Sequence, residues 1–550
     1  MSQAPPPEGH LAYDQVCAQF RWERPAHYNF VGDTIAHWAS TQPDAVALHW
    51  VDGDGNAVIR TFAELRDDAA RAASVLATLG LTRGDAVLLI LSREQRWWEL
   101  MLGCLQLGVV VSPGTIQLKA KDIAYRLQAA KARAVITNAA VAPEVDAALE
   151  QVAWQGARVS LSAELAAGWQ AYEALRAEAT PAPSAADTPA DAPALCYFTS
   201  GTTGQPKLTV HRHDYPLGHQ ATGQHWLQAT PGSLIWNLSD TGWAKAAWSS
   251  LFAPWLAGAG VFALHADAFD GEQILATLAE RPITTLCAPP TIYRLFVRSG
   301  QLAADDFHSL RHCVSAGEPL NAEVIALWKQ QTGLDIYEGY GQTETILLCA
   351  NFPGVPIRQG SMGVAAPGVD LQVIDEAGAI LPSGTEGDIA VNLHPDAKPQ
   401  GMFLGYQDDE ARTASTRRGA WYLTGDRAVR DDDGYFWFVG RADDVILSSG
   451  YRIGPFEVES VLFEHPAVAE SAVVASPDPT RGEVVKAFVV LAPGHEASDA
   501  LVQTLQKHVK SATAPYKYPR KIEFVSELPK TISGKIKRKE LKAKEWADTG

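Results

Sequence analysis

Apolar residues recur at helical spacing after Thr61, and the first ~150 residues alternate that pattern with short, uniformly apolar runs. Thr61-Phe-Ala-Glu64 has the Thr-x-x-Glu spacing of a capping box, which satisfies orphan amide donors at a helix start. The helix that follows is predicted to reach about Leu79, with Leu65, Ala69, Ala72, Ala73 and Leu76 on one apolar face. Gly80 and Gly84 punctuate the chain, and Val87–Leu91 reads as a buried strand. The unit then repeats as helix Trp97–Leu107, strand Val109–Val111, helix Ile123–Ala130 and strand Ala134–Thr137. Helices between uniformly apolar strands imply a parallel sheet covered on both faces, hence an α/β fold. Trp97–Trp98 reads as core.

Residues Ala177–Pro193 are rich in Pro and Ala and read as a surface loop. A long α/β stretch follows, then shorter strands with turn signals at Asp375-Glu-Ala-Gly378 and Asp431-Asp-Asp-Gly434. Beyond about Arg441 the pattern is that of a small α+β unit. It predicts a helix near Glu457–Glu464, strands Ser471–Ala475 and Lys486–Leu491, a helix near Asp499–Ser511 and a basic tail. The division is a large domain over 1–442 and a small one over 443–550.

Composition changes this picture little, and charge changes it more. With 550 residues, 47% hydrophobic and 20% charged, the chain is no disordered segment, collagen-like repeat or coiled coil. The six cysteines are widely spaced with no CxxC pair, which argues against a disulfide framework or zinc site. A net charge of −17 disfavours nucleic acid as a partner. Yet Lys507–Lys544 holds 12 Lys/Arg against 3 Asp/Glu, so positive charge is concentrated at one end. The start carries Glu8 and Asp14 and lacks a basic or apolar leader, which predicts a cytoplasmic protein. No apolar run is long enough to predict membrane insertion. An oligomer is left open.

The most informative segment is Thr199-Ser200-Gly201-Thr202-Thr203-Gly204-Gln-Pro-Lys207, entered from an apolar strand. Glycines let successive amides turn toward one point, the hydroxyls add donors and Lys207 adds charge, a combination suited to a polyphosphate. It is not a Walker loop. Pro206 stands where the glycine before the lysine belongs, and Leu208–Val210 continues as strand rather than helix.

With four further motifs in order, the chain resembles the adenylate-forming superfamily of acyl-CoA synthetases, luciferases and amino-acid-adenylating domains. The motifs are Tyr340-Gly-Gln-Thr-Glu-Thr345, Tyr422-Leu-Thr-Gly-Asp426, Gly440-Arg441-Ala-Asp-Asp444 with Ser449-Gly-Tyr-Arg452, and Pro529-Lys-Thr-Ile-Ser-Gly-Lys535. Ser239-Asp-Thr-Gly-Trp243, Arg452-Ile-Gly-Pro455 and Ala514-Pro-Tyr-Lys-Tyr-Pro-Arg-Lys521 bring it nearest to the medium-chain acyl-CoA synthetases. The resemblance implies parallel-rich sheets sandwiched by helices, a β-barrel-like subdomain and a mobile α+β C-terminal domain. It implies two half-reactions, an acid and ATP giving acyl-AMP and pyrophosphate, then coenzyme A displacing AMP.

By the same resemblance, Thr199–Lys207 wraps the β- and γ-phosphates, Thr343 meets the α-phosphate and Glu344 helps to hold Mg²⁺. Asp426 accepts from both ribose hydroxyls, and Arg441 adds a contact. Gly317-Glu318-Pro319 and Glu338-Gly339-Tyr340-Gly341-Gln342 flank the nucleotide. Lys535 is the catalytic cation between the acid and the α-phosphate. Ser449, Gly450, Tyr451, Arg452, Arg481, Lys510 and Tyr518 surround coenzyme A, with Gln117 on the large domain, and Asp443 marks the pivot of the small domain.

The resemblance also places the acyl pocket near Trp243–Ala247, Ala288–Tyr293 and Gly341–Leu347. Gly341 stands where acetate-specific relatives carry Trp, which admits more than two carbons. Ile346 is expected to shorten or bend the tunnel. Lys245 either meets a polar substrate tail or snorkels at the surface. The substrate expected is a short- to medium-chain or branched fatty acid, with benzoate-type acids as the alternative. An acyl-AMP ligase serving a carrier protein is weighed against by the coenzyme matches. A dead nucleotide-binding protein is weighed against by the presence of Lys207, Glu344, Asp426, Arg441 and Lys535.

Overall fold

Thr61 caps the helix Phe62–Thr78 as its spacing predicts. Its hydroxyl accepts from the Glu64 N–H at 3.3 Å, while the Glu64 carboxylate accepts from the Thr61 N–H at 2.9 Å. The helix packs on Gln95–Leu107 at a very short separation. Gly103 permits this, because a Cβ there would stand 2.4 Å from the Ala72 methyl. Trp97 and Trp98 are buried in the same layer, with the Trp98 indole donating to Ser250 O at 2.7 Å. The computed structural model describes residues 13–182, 184–199, 205–266, 270–299, 302, 307–448, 451–478, 481–531 and 535–547.

Four sheets form among the described residues. In one, Ala86–Ile90 lies between Val110–Gly114 and Ala132–Thr137, all parallel and buried, as their apolar sequences require. Pro193–Thr199 joins Val110–Gly114 and turns back antiparallel as Lys207–Arg212. The phosphate-loop hairpin is therefore welded to this sheet. A second, nine-stranded sheet is parallel through Thr285–Ala288, His312–Ala316 and Ile336–Gly341, and turns antiparallel at Leu347–Ala350. The third is antiparallel and built on Glu386–Asn392, Trp421–Arg430 and Phe436–Arg441. It stands where a barrel-like subdomain was expected. Both Asp-Gly turns belong to it, with Gly378 and Gly434 at φ of +88° and +85°.

The small C-terminal domain has its own sheet and core. Val468–Asp478 and Gly482–Leu491 pair antiparallel over ten positions, and the helices Pro455–Phe463 and Asp499–Ala512 bury Val458, Leu462, Leu505 and Val509 against them. These strands run longer than the apolar pattern alone indicated.

Among its described residues, the 177–193 segment runs over the surface as expected, and it is tied down at a few points. Ala182 N–H donates to Ala70 O and Ala186 N–H to Gln106 O, while Thr188 and Ala190 are buried. Small alanines allow the backbone to lie flat on the two helices, and their carbonyls satisfy it. Among the described residues, no helix is long and apolar enough to cross a membrane.

Candidate active site

The residues of the Tyr340 and Tyr422 motifs, distant in sequence, meet at the end of the strand Ile336–Gly341. The Tyr340 hydroxyl donates to Asp426 Oδ2 at 2.5 Å, and Gln342 Nε2 donates to the same oxygen at 2.8 Å. Gln342 is itself held by the Tyr422 hydroxyl at 3.0 Å and by Thr424 O at 2.8 Å. Arg441 Nη1 lies 3.2 Å from Asp426 Oδ1, a pairing set by antiparallel register that places the two residues opposite each other. Asp426 is 4% exposed. Burial pushes its carboxyl above the usual range, while Arg441, Tyr340, Gln342 and the Lys535 ammonium oppose that rise.

Lys535 of the small domain lies within electrostatic range of Asp426. Its N–H donates to Thr531 Oγ1 at 3.1 Å, and the Thr531 N–H donates to Lys535 O at 2.7 Å. Its side chain is exposed. The cation is thus held at its base and free at its tip.

A second group adjoins the first. Lys207 faces Thr199 across the hairpin, and its ammonium lies 4.9 Å from the centre of the Tyr406 ring. The Tyr406 hydroxyl donates to Glu344 Oε1 at 2.8 Å. Burial lowers the Lys207 ammonium below its usual range, and Arg412 and Arg441 add to this, while Glu344 and Asp409 oppose it. Lys207, Arg412 and Arg441 thus gather three cations beside the carboxylates of Glu344 and Asp409, a concentration of positive groups suited to phosphate. The backbone carbonyl of Thr343 is fixed by His211 Nε2 at 2.7 Å. Burial brings His211 down to about 3, so the ring is neutral and its proton sits on Nε2. Ser200, Gly201, Thr202, Thr203 and Gly204 lie outside the described residues.

On the other flank, Gly317 adopts φ +114°. Arg294 braces the segment that follows, through Pro319 O at 3.4 Å, Asn321 Oδ1 at 3.1 Å and Glu318 at 3.9 Å. Glu338 is buried, accepts from the Leu320 N–H at 2.9 Å, and is pushed by burial up to about 8. Between its ordinary value of 4.5 and about 8 the folded chain holds a proton that the unfolded chain releases. This group's contribution to stability therefore falls as pH rises through that window. A Glu338→Gln variant is expected to show a flatter dependence of Tm on pH between pH 5 and 8 by calorimetry; an unchanged slope would remove Glu338 as its source.

Of the coenzyme candidates, the structure brings Lys510 and Tyr518 together on the small domain, with the others apart from them. Tyr451 stacks on Tyr516 at 4.1 Å, and Lys510 and Arg520 flank the Tyr518 ring at 5.7 and 4.9 Å. Arg452 reaches toward the large domain, 3.9 Å from Glu386. The Arg481 N–H donates to Asp478 at 2.9 Å, and the Gln117 N–H to Thr115 Oγ1 at 3.4 Å. Ser449 and Gly450 lie outside the described residues. Asp443 is exposed, with Arg441 Nε 3.5 Å away.

The acyl-pocket expectations change most. Lys245 does not snorkel. Its ammonium turns inward, 2.6 Å from Ser249 Oγ and 3.1 Å from Cys287 Sγ, and lies over the Trp226 ring at 4.6 Å. Trp243 immediately precedes its helix, Ala244–Ala247. Ile346 is buried. Its Cγ2 packs on the backbones of Gly218 and Gly401, where added Cβ atoms would stand 2.8 and 2.6 Å away. Leu347 instead meets Gly339 beside Trp226, because successive strand residues point to opposite faces. A side chain at Gly341 would start 2.3 Å from Ile346 O and 2.8 Å from Trp248, so glycine is the residue this corner accepts.

Tyr406, His211 and Arg412 were not found by sequence reasoning. They lie outside the motifs, and only the pairing of Gly405–Tyr406 with Thr209 and Val210 brings the ring to the phosphate hairpin.

Family models place the chain directly. Residues 35–406 match the AMP-binding enzyme model, and residues 457–535 match its C-terminal domain. Acyl-coenzyme A synthetase ACSM3, mitochondrial, of Rattus norvegicus is 49% identical over 99% of this chain and 95% of its own. Acyl-coenzyme A synthetase ACSM4, mitochondrial, of Mus musculus is 50% identical over 98% of this chain and 94% of its own. The anthranilate CoA ligase AuaEII, solved with anthranoyl-AMP, superimposes with a TM-score of 0.88 at 30% identity, covering 96% of this chain and 99% of its own. The mitochondrial names of the two relatives overturn the cytoplasmic expectation, which rested on the composition of the first residues. With the family model covering more than half of the chain and near-full-length relatives at about half identity, the chain belongs to the AMP-binding, adenylate-forming enzymes.

Proposed function

We propose that this protein is an AMP-forming acyl-CoA synthetase acting on short- to medium-chain or branched carboxylic acids. The observation that carries the reading is the convergence on Asp426 of Tyr340, Gln342 and Arg441 with Lys535 of the small domain, beside the Lys207–Tyr406–Glu344 group. A buried carboxylate suits a ribose diol, and an adjacent cation pocket suits the phosphates. Attack of a carboxylate on the α-phosphate meets like-charge repulsion, and positioned cations offset it most where water is excluded.

In the first half-reaction, Lys207, with Arg412 and Arg441 near, faces the β- and γ-phosphates. Thr343, its carbonyl pinned by His211, presents its hydroxyl toward the α-phosphate, and Lys535 bridges the attacking carboxylate and that phosphate. Glu344 fits Mg²⁺: one carboxylate steadied by a phenol, beside a phosphate-facing lysine, is the sparse protein donor set with which Mg²⁺ is held alongside substrate phosphates. When bound, the ion supplies further neutralisation of phosphate charge. In the second half-reaction the small domain pivots near Asp443, at the junction of the 1–442 and 443–550 domains. The Tyr451–Arg452 segment then replaces Lys535, and Lys510 and Tyr518 bind coenzyme A.

Aromatic acids form the second reading, because the anthranilate CoA ligase superimposes over nearly the whole chain. AMP release, measured with ATP and coenzyme A for acids from acetate through dodecanoate, branched acids and benzoates, separates the two. The proposal expects the highest kcat/KM in the short- to medium-chain or branched aliphatic series and little turnover of acetate. A preference for benzoates would move the assignment to the second reading.

A further inference from the structure

Small and large domains touch along a seam beside the helix Pro290–Ser299, and one arginine makes several of its contacts. Arg298, in the last turn of the large-domain helix Pro290–Ser299, directs its guanidinium into the small domain. Nη1 donates to Ala469 O at 2.9 Å, Nη2 donates to Val468 O at 3.0 Å, and the guanidinium carbon lies 4.0 Å from the centre of the Phe463 ring. A planar fork on two successive carbonyls, with an aromatic face beneath it, is a geometry that arginine makes and lysine does not. On the same seam, Asn321 Nδ2 donates to Ser460 Oγ at 3.2 Å, reaching the helix that ends at Phe463.

Charges of both signs face this fork across the seam. Glu323 of the large domain is raised above the usual carboxylate range by burial and by Glu464 of the small domain, while Arg298 opposes that rise. Glu470 also faces Arg298. Removing the guanidinium leaves the Val468 and Ala469 carbonyls without this donor and takes away the cation that offsets Glu323 against Glu464 and attracts Glu470 across the interface, so the seam is weakened. It is closed in the same arrangement that brings Lys535 to Asp426.

We propose that Arg298 is a positioning residue for adenylation, a latch that holds the small domain where Lys535 meets the acid and ATP. It acts through the domain and touches no reactant. This rests on the two-half-reaction reading above, in which the seam must open before coenzyme A reacts. Loss of the latch therefore slows the first half-reaction and leaves the second untouched or faster.

The test measures the half-reactions separately: pyrophosphate release with acid and ATP, and thioester formation from supplied acyl-AMP and coenzyme A. For Arg298→Ala, adenylation is expected to fall by about 10- to 100-fold, with the thioester rate equal to or above that of the parent. Arg298→Lys restores little, because the fork is lost. Asn321→Ala, a second seam variant that leaves Arg298 in place, shifts the ratio in the same direction by a smaller factor. Calorimetry separates a latch from a merely structural arginine, which would lower Tm and both rates together. Equal losses in both half-reactions, or no change in their ratio for either variant, would overturn the proposal while leaving the enzyme assignment intact. A parent protein that performs neither half-reaction with any acid would overturn both.

Discussion

Lys535→Ala is expected to abolish acyl-adenylate formation, by about 10³-fold or more, while thioester formation from supplied acyl-AMP stays within a few-fold of the parent. The split follows from where the charge is needed. Lys535 is tied to Thr531 through its backbone N–H, and its exposed ammonium lies within electrostatic range of the Asp426 carboxylate in this arrangement of domains. Only in adenylation do two anions, the acid and the α-phosphate, have to approach each other. Once acyl-AMP exists, the nucleophile is a thiol and the cation has no comparable task. Stopped-flow or quenched assays of each half-reaction check this, and equal loss in both would remove Lys535 from its role.

Asp426→Ala is expected to damage both half-reactions. Its carboxylate collects donors from Tyr340, Gln342 and Arg441 while almost wholly buried. Truncation leaves the Arg441 guanidinium and the Tyr340 phenol without their acceptor. Arg441 is half-exposed and keeps Asp443 at 3.5 Å, so solvent and that second carboxylate take up part of its loss, and the donors of Tyr340 and Gln342 bear the rest. The ribose contact proposed for Asp426 persists in acyl-AMP, so nucleotide binding suffers at every stage. The KM for ATP is expected to rise by about 100-fold or more, and the KM for acyl-AMP by a comparable factor. Steady-state kinetics with each nucleotide reads both. A rise for ATP alone would move Asp426 away from the ribose and toward the phosphates.

Local signals carried far in this chain. The Thr61–Glu64 box, the Asp-Gly turns at Gly378 and Gly434 and the uniformly apolar strands each act over a few residues, and each folds as its spacing requires. Motif order revealed Asp426, Arg441 and Tyr340, although nothing local says that they meet. That meeting depends on strand register. Tyr406 was illegible for the same reason, since the Gly405–Tyr406 pairing with the phosphate hairpin is made across nearly 200 residues. The direction of Ile346 depends on a register shift between Tyr340 and Gly341. The inward turn of Lys245 depends on the Trp226 ring and Cys287, which arrive from other elements. The Pro/Ala composition of 177–193 indicated a surface segment but not its tethers, because the Ala70 and Gln106 carbonyls that accept from it belong to distant helices.

Product identity in a single-turnover reaction with octanoate, α-³²P-labelled ATP and coenzyme A tests the enzyme assignment most directly. The predicted result is label in AMP, with octanoyl-CoA and pyrophosphate formed in equal amounts, and with octanoyl-AMP accumulating when coenzyme A is withheld. Label in ADP with release of orthophosphate, or acyl transfer that proceeds with a carrier-protein thiol and not with coenzyme A, would contradict it.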